Sequence, residues 1–409
     1  MRFLFFTQYF PPEVGATQSR LDHFARHLVQ KGHQVTVITE LPNHPRGVIF
    51  PGYRRRLLLR TDEDGLDVIR LWVYTSPRKS SLRRLLFYFS YMIFAIIAGL
   101  FIARGRYDSV FASSPPLPVA LAGLIVAWFK RRPLVMDVRD LWPTVGIALG
   151  EIRGQTMIRM AEWLELLLYR RAVAITCVTH SFIEYIADKG IDRDKLRFVP
   201  NGTMPNIFRP QPSEKSARKS LGLEGQFVVG FCGNHGVAQG LPGVVEASLL
   251  LRDVPGVKFL FVGEGPYKQQ LLDTRDRERL DNLLLLPEVP ITEIARYINA
   301  CDLMLVPLRK DKIFDMFIPS KLFDYMACAR PIVLTVDGEA RSILEQAKGG
   351  VFVEPDNPQA LAKAVSELRQ RPQELQEMGQ RGRNYVLQHY LRDTQAEKLE
   401  DILEKCARS

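Results

Sequence analysis

Short runs of apolar residues alternate along this chain with segments whose apolar positions recur every three to four residues. That pattern predicts strands of a parallel sheet, each followed by a covering helix. In the first half the runs fall at 2–8, 34–40, 66–73, 108–114, 133–140, 174–180 and 196–200. Between the first two, SRLDHFARHLVQKG puts Leu21, Phe24, Ala25, Leu28 and Val29 on one face and stops at Gly32, which reads as an amphipathic helix. The alternation restarts at 226–234 and continues at 258–265, 283–289, 303–308, 331–337 and 350–355. Residues 200–220, rich in Pro, Asn and Ser, read as a linker, and the chain ends in helices. At 409 residues the chain is longer than one core usually serves. The expected fold is α/β: two Rossmann-like domains with parallel sheets facing a cleft, over 1–205 and 206–385. A C-terminal helix over 386–409 is expected to pack back toward the first. Ligands of such sheets gather beyond the carboxyl ends of the strands, so chemistry is expected in the strand-to-helix loops.

One segment departs from the pattern. Residues 85–103, LLFYFSYMIFAIIAGLFIA, are 19 uncharged positions with Arg83 and Arg84 before them and Arg104 and Arg106 after. Their length suits a transmembrane helix. Strands of one sheet lie on both sides of the run, however, and a spanning helix would put them on opposite sides of a bilayer. The segment therefore reads as a helix lying in or against the membrane interface, with a buried core helix as the alternative. MRFLFFTQYFPP reaches Pro11 too early for a signal peptide.

Charge sharpens this reading. The net charge is +10, and the whole excess lies in residues 1–180, where 24 Lys and Arg face 13 Asp and Glu. Arg54, Arg55, Arg56, Arg78, Lys79, Arg83 and Arg84 supply much of it, and an anionic lipid surface or a pyrophosphate would attract them. The basic stretches lack interleaved aromatic residues and no nucleic-acid module appears, so nucleic acid is not an expected partner. Five scattered cysteines without a C-x-x-C pair speak against a disulfide framework or a zinc site.

Five loops could carry chemistry. In YFPPEVGATQSR, Gly15 and Ala16 precede a helix, where a phosphate could approach or the glycine could simply turn the chain. MDVRDLWP clusters Asp137, Arg139 and Asp140 after a strand, either as a helix cap with its partner or as groups touching a sugar hydroxyl or phosphate. CGNHGVAQGL offers exposed backbone N–H groups and His235 as a diphosphate cradle. VGEGPYKQQL turns tightly around Gly263 and Glu264. In FIPSKLFDYMACARPIV, Pro319 and Ser320 start a helix with Lys321 in its first turn and Asp324 three residues on. A lysine there opposes the helix dipole unless both bind an anion. A cation beside a phosphate and a carboxylate beside a ribose suit a nucleoside diphosphate. An exposed Lys–Asp pair is the plain alternative.

In this order the loops resemble the family 4 glycosyltransferases of the GT-B fold, and more narrowly the WbuB-like N-acetyl-fucosamine transferase branch that builds bacterial surface polysaccharides. The carrying segments also include PNHPRGVIFPGYRRR, FVPNG and LPEVP. The resemblance implies a metal-independent, retaining transfer from a nucleotide diphosphate sugar, UDP-N-acetylhexosamine in type, to a polyprenyl-diphosphate-linked saccharide. It needs no cofactor, since the nucleotide sugar is a substrate. It places Gly15 and Ala16 under the donor phosphates, Glu288 and Val289 at the base, Asp324 at the ribose, and Asn234, His235, Gln239 and Lys321 around the diphosphate, with Ser320 and Leu322 also binding the donor. Gly263 and Glu264 join the donor side, and Lys321, Asp140, Arg139 and Asp137 are the catalytic candidates.

The chain departs from the family pattern in three respects. Asn234 and Gln239 stand where many relatives have Arg and Lys. Met316 stands where the first of a pair of glutamates is common, and DVRDLWP stands where many relatives place a histidine. The resemblance further implies acceptor and membrane contacts through Arg54, Arg55, Arg56, Arg83, Arg84 and Arg104, and a location at the cytoplasmic face of the inner membrane, peripheral or monotopic. Two other readings stay open: a nucleotide-sugar epimerase on the same scaffold, and a non-catalytic membrane-associated subunit.

Overall fold

Each apolar run forms a strand in the computed structural model, which describes residues 1–77, 80–152, 154–211 and 214–408. The chain divides into two units, Met1–Pro200 with Arg392–Ser409, and Asn201–Leu391. The junctions expected at 205/206 and 385/386 thus fall at 200/201 and 391/392.

The first unit holds β1 (Arg2–Phe6), β2 (Gln34–Glu40), β3 (Leu58–Glu63), β4 (Leu66–Leu71), β5 (Ser109–Ser114), β6 (Leu134–Val138), β7 (Ala174–Cys177) and β8 (Leu196–Phe198). They form one sheet in the order β3-β4-β2-β1-β5-β6-β7-β8, parallel except for β3. The run pattern misses β3 for a physical reason. It is an edge strand whose residues LLRTDE stay exposed or half-buried, held to β4 as a hairpin in which Arg60 bonds both carboxylate oxygens of Asp67 at 2.7 and 2.9 Å.

The first unit's helices are α1 (Ala16–Gln30), α2 (Ser81–Ile97), α3 (Leu117–Lys130), α4 (Thr144–Ala148), α5 (Gln155–Arg171) and α6 (His180–Asp188). A π-helical turn at Ala98–Ile102 extends α2. Strand alternation divides the helices between the two faces of the sheet. Phe3 and Phe5 face α1, packing with Leu21, Phe24 and Leu28, whereas the Phe6 ring lies where side chains at Gly99 and Gly123, beside α2 and in α3, would sit.

The second unit places β9 (Phe227–Cys232), β10 (Val257–Val262), β11 (Leu283–Leu286), β12 (Leu303–Pro307), β13 (Ile332–Thr335) and β14 (Gly350–Phe352) in the parallel order β11-β10-β9-β12-β13-β14. Its helices are α7 (Glu214–Ser220), α8 (Leu241–Leu250), α9 (Lys268–Glu278), α10 (Ile291–Asn299), α11 (Lys321–Ala327), α12 (Glu339–Ala347), α13 (Pro358–Arg369) and α14 (Pro372–His389). The last helix, α15 (Arg392–Arg408), belongs to the first unit. Its Ala396, Leu399 and Leu403 enter the core with Phe3 and Phe5, and Glu400 receives His27 and His33 at 3.2 and 2.9 Å.

Among the parallel strands both orders reverse direction once, between β1 and β5 and between β9 and β12. Those are the switch points where a parallel sheet opens a crevice at its carboxyl edge.

Side chains pack closely under α3, where a methyl on Gly123 would sit 2.7 Å from Ala112 Cβ. Gly123→Val should therefore cost about 1–3 kcal/mol of stability, read as a lowered urea midpoint at unchanged slope.

Candidate functional site

In the second unit the loops after β9 and β10 are zipped together by backbone. His235 N donates to Glu264 O at 2.8 Å and Tyr267 N to His235 O at 3.0 Å. They approach so closely that a Cβ on Gly263, at φ +152, would sit 2.0 Å from Gly233 O. Glycine is required there by conformation and by space.

Lys321 enters from the start of α11. Its Nζ lies 3.9 Å over the Phe231 ring and donates to Gln239 Oε1 at 2.5 Å. A Cβ on Gly233 would meet that Nζ at 3.3 Å. Among the described residues no carboxylate pairs with it. Burial pushes the ammonium down to about 7, with only the neighbouring Cys232 opposing.

His235 is fully buried, between the Phe231 and Phe261 rings. Neither ring nitrogen has a hydrogen-bond partner among the described residues. Burial, reinforced by Lys268 and Lys321, holds the imidazole down at about 3, so it is neutral near pH 7 and still carries one N–H. A half-buried cation and an unsatisfied imidazole beside two glycine loops make a receptor for an anion with several oxygens.

The other donor-side residues take distinct places. Gln239 orients Lys321, and Asn234 is exposed. Ser320 stands at the N-cap of α11 without a side-chain cap bond. Leu322 departs from its expected donor role: its side chain is fully buried and its amide already donates to Pro319 O at 3.0 Å. Asp324 accepts from Thr203 Oγ1 at 2.9 Å, so one oxygen of the expected ribose carboxylate serves to anchor residue 203. Exposed Glu288 and half-buried Val289 follow β11 at the same carboxyl edge, and Glu264 is half-buried.

In the first unit the three charges of DVRDLWP divide their roles. Asp137 is wholly buried and accepts from Thr176 Oγ1 at 2.7 Å, Arg20 at 3.2 Å and Ser113 Oγ at 3.2 Å. Arg139 spends its fork on Ser113 Oγ (2.6 Å), Pro115 O (2.8 Å) and Thr17 Oγ1, tying the loops after β5 and β6 to the start of α1. Neither is free to touch a substrate, a correction to their expected catalytic standing: a carboxylate inside a sheet needs those donors, and the arginine sews the switch point shut.

Asp140 is different. Its Oδ1 has no partner among the described residues, and burial raises its carboxyl to about 6 against the pull of Arg139. Gly15 caps α1 at φ 163, extended backbone open to any residue, and both it and Ala16 are exposed. Arg54, Arg55, Arg56 and Arg104 are exposed, Arg83 bonds Ser76 Oγ at 3.3 Å, and Arg84 pairs with Glu151 at 2.6 Å. Arg78 and Lys79 lie outside the described residues.

Sequence reasoning missed Glu13 and Glu40, both buried at the carboxyl ends of β1 and β2. Glu13 accepts the Asn43 and His44 amides at 2.7 Å each, yet burial raises it to about 7, and Glu40 is also raised, by burial and by Glu13. The signal available was a glutamate directly after Pro-Pro, next to the glycine loop. The described cluster with metal-ligand geometry, His33, Glu400 and Glu404, lies where α15 docks on the first unit and includes none of the expected catalytic or donor residues.

Residues 15–202 match the model of a glycosyl transferase 4-like domain, and residues 226–371 that of glycosyl transferases group 1. WcaI of Escherichia coli (strain K12), assigned by name to colanic acid biosynthesis as a glycosyl transferase, is 25% identical over 374 residues, 89% of this chain and 91% of its own. Among solved structures, HepE of Anabaena in complex with UDP and glucose superposes with a TM-score of 0.74 at 20% identity, over 99% of both chains. WaaG, a glycosyltransferase involved in lipopolysaccharide biosynthesis, gives 0.70 at 15% identity, over 98% of this chain and 99% of its own. With one matched domain in each folded unit and GT-B neighbours along nearly its whole length, this chain belongs to the family 4-like glycosyltransferases and is an enzyme of that class.

Proposed function

We propose that this glycosyltransferase moves a sugar from a nucleotide diphosphate, UDP-N-acetylhexosamine in type, to a polyprenyl-diphosphate-linked saccharide in the assembly of a surface polysaccharide, at the cytoplasmic face of the inner membrane. The names of WcaI and WaaG support the pathway class, and the UDP bound by HepE supports the donor class. The observation that carries the reading is Lys321: a half-buried ammonium with its charge disfavoured by desolvation, without a carboxylate partner among the described residues, beside two glycine loops and an unsatisfied His235.

Such a group is costly alone and is restored to full charge by a diphosphate. As the bond from the sugar's anomeric carbon to the phosphate oxygen breaks, the charge gathering on the leaving diphosphate falls to Lys321, His235 and the loop amides. The acceptor oxygen attacks the same face, giving retention, and its proton passes to the departing phosphate oxygen. In the first unit, Asp140, whose carboxyl burial raises to about 6, is the residue this reading assigns to an acceptor hydroxyl. With an ammonium supplying the positive charge, the transfer needs no divalent ion.

Three outcomes test this. Lys321→Ala should lower turnover by about 10²–10³-fold and weaken donor binding at unchanged thermal stability; wild-type-like transfer would remove the clamp. Donor binding should weaken as pH rises above about 7, where the free Lys321 loses its proton. Calorimetry at pH 8 in buffers of different ionisation enthalpy should then record uptake of close to one proton per donor bound, absent in Lys321→Ala. Transfer should survive exhaustive EDTA treatment. Conversion of a UDP-sugar to an isomer without acceptor would favour an epimerase instead.

A further inference from the structure

The face of α2 turned away from the sheet is large and apolar. Tyr91, Ala95, Ala98 and Gly99 form its buried side, while Leu82, Leu86, Phe89, Ile93, Ile97 and Phe101 recur at helical spacing on the other side and are exposed. Only 22% of the most apolar stretch of Leu82–Ile102 is buried, so the core-helix alternative does not hold. Both β4 and β5, which flank this helix, lie in one sheet, so it cannot span a bilayer either.

Two further apolar groups join this face. At the C-terminal end of α3, Trp128 and Phe129 are 70% and 59% exposed. The adjoining Lys130 donates to Ala103 O at 3.1 Å, fixing that end beside the turn bearing Phe101. At the other end, the Arg84–Glu151 pair (2.6 Å) joins the first turn of α2 to the segment that leads into α5. There Met160 and Trp163 are 66% and 65% exposed. Arg104, Arg106 and Arg131 are exposed at the aromatic end of the face, Arg159 is exposed within α5, and α2 carries no acidic residue, whereas Glu151 and Glu162 are exposed near the α5 end. Apolar ridges of this size rimmed by arginine, with tryptophan at the margins, match the boundary between acyl chains and anionic headgroups.

We infer that α2, the end of α3 and the first half of α5 form one seat for an anionic lipid leaflet, with α2 lying in the plane of the interface. This deepens the membrane location proposed above and rests on it. The helix and its π-helical turn, 21 residues and about 30 Å long, sink one side among the acyl chains while the other stays on the sheet. Trp128 and Trp163 sit at the headgroup level, and the arginines pair with lipid phosphates.

Flotation of the full chain with phosphatidylcholine vesicles, with and without phosphatidylglycerol, tests the seat. Binding should require the anionic lipid and weaken about 30-fold when Arg104→Gln and Arg106→Gln are combined. Ile93→Glu should abolish it while UDP binding by calorimetry stays as in wild type, which shows that the variant folds. Lipids brominated near the headgroups should quench tryptophan fluorescence more than lipids brominated near the chain ends, and the double variant Trp128→Phe, Trp163→Phe should lose that quenching. Deeper bromines quenching best would overturn the in-plane placement. A dimer in light scattering that Ile93→Glu converts to monomer, without vesicle binding, would assign the face to a second copy and overturn the seat. So would a wild-type monomer that ignores anionic vesicles. If vesicles bind but no lipid-linked saccharide is glycosylated, the seat stands and the proposed acceptor falls.

Discussion

A half-buried, partly desolvated ammonium group with no carboxylate beside it among the described residues is the constraint around which the site of the second unit is arranged. Desolvation penalises the charge of Lys321, and the fold answers with weak compensation, a ring face and one amide oxygen. A carboxylate would stabilise the cation better and would also compete with any anion arriving there. Leaving the cation under-satisfied keeps its full attraction for a ligand. Gln239 can be neutral for the same reason: a second cation there would raise the cost of burying both, whereas an amide holds Lys321 in place without adding charge.

The glycines around it answer a steric demand set by that arrangement. For Lys321 to reach the end of β9, the loops after β9 and β10 must lie backbone against backbone, and no side chain fits at Gly263. The same closeness buries His235 and leaves its nitrogens unsatisfied. Local disorder of either loop would release both groups into water and dissolve the site's electrostatic character, so the rigidity of the sheet edge is a functional property here.

The first unit solves a different problem. Its switch point between β1 and β5 is occupied by a network rather than left open. Arg20 joins Asp137 to the carbonyls of Val199 and Pro200, and Arg139 joins three segments through Ser113, Pro115 and Thr17. These bonds hold the loop that presents Asp140. Burial raises the carboxyls of Asp140, Glu13 and Glu40 near the carboxyl edge of this sheet, which brings their protonation toward neutral pH. On the opposite side of the sheet from α1 and α15, α2 and α3 leave large apolar side chains in solvent.

Hydrophobic periodicity alone determined thirteen of the fourteen strands among the described residues, the two sheets and the division of the chain, because buried parallel strands must be continuous apolar runs whatever surrounds them. It missed β3, an edge strand with no fully buried residue, whose Thr61 and Glu63 meet Arg70 and not an apolar core. The loops that end those strands were legible as well, and so was Lys321, whose place in a helix's first turn is a local anomaly readable without coordinates. Which charge in DVRDLWP is spent and which is free was not legible, since the partners of Asp137 and Arg139 come from residues 17, 20, 113, 115 and 176. Nor could spacing tell that Leu322 points into the core, that Gln239 serves Lys321, or that Trp128 and Trp163 stay exposed. Burial and hydrogen bonding join residues far apart in the chain, so only the assembled sheets and helices decide which polar groups are satisfied and which remain to bind something else.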